Sequence, residues 1–151
     1  MKAILVPLDF SDVTPALLSA VKQLAQPFKS KVFLLHVAAR ATGVTTPTIM
    51  PIPIETSVDL RTLQKLLDET KECFAGSSLE VETILIDGGI AAANILAESE
   101  SLRADLIVMG SHGHGALYNL LVGNVTGGVI KSAKCPVLVV PSPRGKLLAA
   151  A

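Results

Sequence analysis

Five short runs rich in apolar residues, the first of them unbroken by any polar residue, recur along the chain, each followed by a segment of helical spacing or a loop. This alternation restricts the fold more than any other feature. Ala3-Ile4-Leu5-Val6 opens the first run, which ends near Pro7-Leu8-Asp9. Val32 to Val37, Val81 to Ile86, Leu106 to Met109 and Pro136 to Val140 are the other four. A strand with one wet face alternates, whereas an unalternating run suits a parallel sheet covered on both faces. Between the runs, apolar residues return every three or four positions. Leu17, Leu18, Val21, Leu24 and Ala25 trace one helical face. Leu63, Leu66, Leu67, Thr70 and Phe74 trace a second, and Ala92, Ile95, Leu96, Ser99 and Leu102 a third. Val125 to Ala133 supplies a fourth helix. Thr14 reads as the cap of the first helix, with Pro15 in its opening turn.

Strands alternating with helices imply a doubly wound α/β layer around a five-stranded parallel sheet. Right-handed crossovers leave few topologies. The order 3-2-1-4-5 sets strands one and four side by side at a switch point, and ligands of open α/β sheets sit beyond the carboxyl ends of such strands. Asp9 and Gly110 occupy those two ends. One domain is expected over residues 1–141, with residues 142–151 as a C-terminal tail. Residues 38–54, dominated by Thr, Pro and Gly, read as a long loop of the kind that is functional or mobile.

Composition removes several functional classes. Thirteen basic and thirteen acidic side chains cancel, so net charge draws the chain neither to nucleic acid nor to anionic lipid. With four Phe, one Tyr and no Trp, stacking platforms for single-stranded nucleic acid are lacking. No apolar run reaches the roughly 18 residues of a membrane span. A strand at residues 1–9 leaves no room for a signal peptide, and Cys73 and Cys135 lack metal or redox spacing. The expected compartment is cytoplasmic.

Met109-Gly110-Ser111-His112-Gly113 follows the fourth run, and Gly123-Asn124-Val125 comes after nine further residues. Glycine lets backbone N–H groups approach a ligand without a Cβ in the way. A helix start adds unpaired donors and partial positive charge. Together they suggest an anion cradle, with phosphate as the first ligand to consider. Asp9 suits either this site or a cap on its own turn, and the two roles are compatible.

These residues resemble the universal stress protein family across residues 1–141. The family pattern is Gly, two residues, Gly, nine residues, Gly, then Ser or Thr. Gly110, Gly113 and Gly123 match it, and Asn124 stands where the hydroxyl residue is usual. The opening Ile4-Leu5-Val6-Pro7-Leu8-Asp9-Phe10-Ser11 and the closing Cys135-Pro136-Val137-Leu138-Val139-Val140-Pro141 are similar as well. The resemblance implies a Rossmann-like, adenine nucleotide alpha hydrolase-like fold that binds ATP or AMP. Pro7, Leu8 and Asp9 would lie along base and ribose, with Val37 against the adenine. Met109, Gly110, His112 and Gly113 would follow the ribose and phosphates, and Gly123, Asn124 and Val125 would close on the distal phosphates. It also implies a homodimer through the last strand, Val137 to Val140.

The expected chemistry is binding rather than catalysis. No Lys or Arg occurs from residue 104 to residue 130, while phosphoryl transfer concentrates cations around its developing charge. Basic groups such as Lys131 or Arg40 would have to reach in from elsewhere. Asn124 would cap a helix and donate an amide to phosphate, yet it serves a magnesium ion accompanying ATP less well than a hydroxyl. His112 and His114 read as loop histidines, and His36 as a satisfied core residue. The expectation is an adenine-nucleotide sensor or regulatory module with little or no hydrolysis. The alternatives are a dimeric stress protein that binds no nucleotide, which Asn124 favours, and a slow nucleotide hydrolase. A flavoprotein-like module ranks last for want of aromatics.

Overall fold

The computed structural model describes residues 1–39, 59–111 and 124–142. Nine elements run in chain order: β1 (Ala3–Pro7), α1 (Thr14–Phe28), β2 (Lys31–Ala38), α2 (Leu60–Glu72), β3 (Val81–Asp87), α3 (Ala91–Ser101), β4 (Leu106–Ser111), α4 (Asn124–Ser132) and β5 (Val137–Pro141). The strands form one five-stranded sheet in the order β3-β2-β1-β4-β5. Every pairing is parallel, with Ile4 opposite both Val32 and Leu106. The expected topology is the one found.

The apolar runs sit where unalternating strands belong. Ile4, Leu5, Val6, Leu34, Leu35, Ile107 and Val108 are fully buried, because β1, β2 and β4 are covered on both faces. Successive side chains then serve two separate cores. Ile4, Val6, Val32 and Leu34 join Leu17, Val21, Leu67 and Phe74 under α1 and α2. Leu5, Phe33, Leu35 and Ile107 join Ile95, Met109 and Val129 under α3 and α4. Burying each such large side chain contributes about 1.5–3 kcal/mol.

Local corrections concern helix and strand ends. Val13, not Thr14, is the N-cap of α1, and no side chain caps that end. The Thr14 hydroxyl is buried without a hydrogen-bond partner. Pro15 does fall in the first turn, where its missing N–H costs nothing. In α2, Asp59 caps by accepting the Arg61 N–H at 3.1 Å. Leu66 is exposed rather than part of the buried stripe, and Phe74 lies past the helix end though it is buried. β2, β3 and β4 extend one or two residues beyond their apolar runs, and β5 runs from Val137 to Pro141 instead of Pro136 to Val140. Backbone pairing does not stop where hydrophobicity does.

A cavity at the carboxyl ends of β1 and β4

In a right-handed parallel sheet every helix that follows a strand begins at the carboxyl edge. The first turns of α1, α3 and α4 therefore converge on the gap between β1 and β4. A cavity of about 330 Å³ occupies it, within the range of small-molecule sites. β1 and the turn after it contribute Pro7, Leu8 and Asp9; β2 contributes Leu35, His36 and Val37; β4 contributes Met109 and Gly110. The helices add Val13 and Leu17 from α1, Ala91 and Ile95 from α3, and Val125 and Thr126 from α4.

Close approach of α1 to β4 requires glycine at the cavity wall. A Cβ on Gly110 would lie 2.4 Å from Cγ1 of Val13, a separation that real carbon atoms do not adopt. Any side chain at 110 would push the start of α1 away. Across the cavity, α3 is set by a second glycine turn. Gly88 and Gly89 have φ of 82° and 90°, values other residues rarely take. The Asn94 amide donates to the Gly88 carbonyl at 2.8 Å, fixing the turn from which Ala91 and Ile95 reach the cavity.

The polar content of the wall is small. Asp9 accepts the Ser11 N–H at 3.1 Å, so it caps its own turn and lines the cavity at once. His36 is half-buried, with Nδ1 2.7 Å from the Leu8 carbonyl. Its ring lies against Phe10, the centroids 4.7 Å apart. No Lys or Arg is among the described residues of the lining. Lys131 is exposed in the last turn of α4, at the opposite end of that helix from Val125 and Thr126.

Seven of the residues singled out from the sequence thus meet on one cavity: Pro7, Leu8, Asp9, Val37, Met109, Gly110 and Val125. Asn124 is the first residue of α4; its side chain lies outside the described residues. So do His112, Gly113 and Gly123, together with His114, Arg40 and most of the long segment expected at 38–54. His36 was expected in the core and instead forms part of the wall. Val13, Leu17, Ala91, Ile95 and Thr126 were not anticipated. Val13 with Leu17 and Ala91 with Ile95 are i, i+4 pairs in opening helical turns, and that spacing at a carboxyl edge is the signal that locates them.

The model of the universal stress protein family matches residues 1–141. The chain belongs to that family. Universal stress protein MJ0531 of Methanocaldococcus jannaschii is 32% identical over 149 residues, covering 95% of this chain and 84% of the relative. The solved structure of the hypothetical protein MJ0577, also a universal stress protein of that organism, is 31% identical with a TM-score of 0.75, covering 95% of this chain and 98% of that one. A universal stress protein of Archaeoglobus fulgidus, solved in complex with dAMP, is 20% identical with a TM-score of 0.66, covering 92% and 97%. At that identity the likeness shows a shared universal stress protein fold, and the dAMP is a property of the Archaeoglobus protein.

Proposed function

We propose that the cavity binds an adenine nucleotide, ATP or AMP, and that this universal stress protein works as a nucleotide sensor with little or no hydrolysis. The observation that carries the reading is the glycine-floored cavity at the switch point, mainly apolar, with Asp9 at its edge and the first turn of α4 opening onto it. An apolar slot suits a purine ring. A helix start supplies backbone donors and partial positive charge to phosphate. Pro7, Leu8, Asp9 and Val37 would take the base and ribose, and Met109 and Gly110 the ribose side of the phosphates. His112 and Gly113, with Gly123, Asn124 and Val125, would enclose the rest. The dAMP complex of the Archaeoglobus relative supports an adenine nucleotide as the ligand class.

The charge of the described wall supports binding with little or no hydrolysis. Catalysis demands stronger interactions in the transition state than in the ground state. Backbone amides, the Asp9 carboxylate, Asn124 and the histidines offer no Lys or Arg to a developing phosphoryl charge. A magnesium ion arriving with ATP would be carried by the phosphates; among the described residues no three or more His, Cys, Asp or Glu side chains group as a metal site. A ligand that binds one conformation of the chain better than another would shift a population that a partner reads. A homodimer would pair β5 with its copy, covering the edge at which Leu138 is 39% exposed. Action in the cytoplasm is part of the proposal; no described helix is long and apolar enough to cross a membrane.

Calorimetry with ATP and with AMP tests the proposal. Saturable binding is expected, with Gly113→Val weakening it while the fold persists, and ATP incubation should yield no multiple turnovers. Absence of saturable binding at millimolar nucleotide would instead favour a dimeric stress protein that uses no nucleotide. Sustained phosphate release would favour a hydrolase.

A further inference from the structure

We infer that His36 is a positioning residue: its ring holds the turn after β1 in the shape that presents Leu8 and Asp9 to the cavity. The inference rests on the proposed function for its consequence, but its geometry stands independently. β1 ends at Pro7, opposite Leu35, and the chain is carried one residue further by the Leu8 N–H donating to the Leu35 carbonyl at 2.8 Å. From the neighbouring residue of β2, His36 returns a bond to the carbonyl of that same Leu8, at 2.7 Å. Leu8 is therefore gripped at both its N–H and its C=O by consecutive residues of β2. A carbonyl oxygen only accepts, so Nδ1 must carry the proton of this bond.

The next residues show why such a grip is needed. Phe10 has φ of 57°, a left-handed conformation that a bulky side chain holds only where its surroundings over-determine it. Its ring is seated on the His36 imidazole, tilted by 41°. Local hydroxyls do not tie the turn: Ser11 Oγ and Thr14 Oγ1 are buried without hydrogen-bond partners. Asp9 lies between Leu8, which His36 bonds, and Phe10, which His36 supports. One side chain on β2 thus fixes both neighbours of the carboxylate at the cavity edge.

The two ring nitrogens make the assignment testable. Asn carries its amide nitrogen at the branch where His carries Nδ1, whereas Gln reaches toward the position of Nε2. His36→Asn should keep the Leu8 bond; His36→Gln and His36→Ala should lose it. In the full-length protein without ligand, amide hydrogen exchange at Leu8 and Ser11 should quicken in the Ala and Gln variants and stay near wild type in Asn. AMP affinity by calorimetry should fall about tenfold in Ala and Gln, the size expected for one lost hydrogen bond, and recover to within about threefold in Asn. Unchanged exchange in His36→Ala, or rescue by Gln rather than Asn, overturns the inference. Wild-type protein that binds no nucleotide would remove the proposed function, and the exchange comparison would still decide the role of His36.

Discussion

The two ends of the sheet are built on opposite principles. At the amino ends of the strands, polar groups are tied down. Asp105 accepts the N–H groups of Lys2 and Ala3, Ser30 donates its hydroxyl to the Met1 carbonyl, and Lys31 pairs with Glu80 and Glu82. Proton affinities are displaced there as well. The Ala3 and Lys2 amides hold the Asp105 carboxyl below its ordinary value, Glu80 and Glu82 raise the Lys31 ammonium, and burial pushes the Cys135 thiol up. At the carboxyl ends the structure keeps a cavity, a left-handed Phe10, two buried hydroxyls without partners and a glycine where no side chain fits. Local satisfaction is concentrated at one edge and left incomplete at the other. Such incompleteness gathers where ligands bind.

The largest effect should come from Gly110→Ala. Its Cβ would meet Val13 at 2.4 Å, and overpacking of this kind costs about 1–3 kcal/mol. Denaturant unfolding should show that loss together with weaker nucleotide binding, and Val13→Ala in the same chain should restore most of both. A Gly110→Ala protein of undiminished stability would mean the floor is loose. At the other end, Asp105→Asn should reduce stability but leave nucleotide affinity alone. Because the group is exposed and screened by water, the loss should not exceed about 1 kcal/mol, or roughly 2–4 °C in Tm. Its pH dependence has a fixed sign. The folded pKa lies below the ordinary 3.8, so the carboxylate stabilises above that pH and its contribution disappears as pH falls through the lower folded value. Melting curves of wild type and variant should therefore differ at pH 7 and converge in strong acid.

Smaller effects sharpen the contrast. Asn124→Ser should bind ATP as well as the native chain or a few-fold more tightly, most visibly with magnesium, since a hydroxyl is the better neighbour for a hydrated cation. A clear loss would mean that the Asn124 amide contacts the ligand directly. Smallest should be Lys31→Ala, a slight drop in Tm at low salt that fades at high ionic strength. The Lys31 contribution is present below 10.5 and is lost as pH rises through its raised folded value.

Most of the framework was legible because it depends on periodicity. Short runs rich in apolar residues gave all five strands, and the apolar stripes gave the helices with errors of one to three residues at their ends. The adjacency of Asp9 and Gly110 followed from topology alone. What escaped depended on relations between elements. That Val13 would fill the space above Gly110 cannot be seen in either segment separately. Thr14 looked like a cap because hydroxyl residues favour that position, yet the chain enters α1 through Val13, whose side chain closes the cavity wall. His36 looked like a core residue because its strand is apolar; its bond to Leu8 exists only once β1 lies beside β2.

The cavity touches both hydrophobic interiors of the molecule. Leu8 and Leu17 belong to the cluster beneath α1 and α2, while Leu35, Ile95 and Met109 belong to the one beneath α3 and α4. A bound nucleotide would be a removable keystone joining the two, adding about 2.7 kcal/mol to the folded state at a hundred times its Kd. Under the proposed function, resistance of the folded chain to proteolysis should therefore rise with nucleotide concentration.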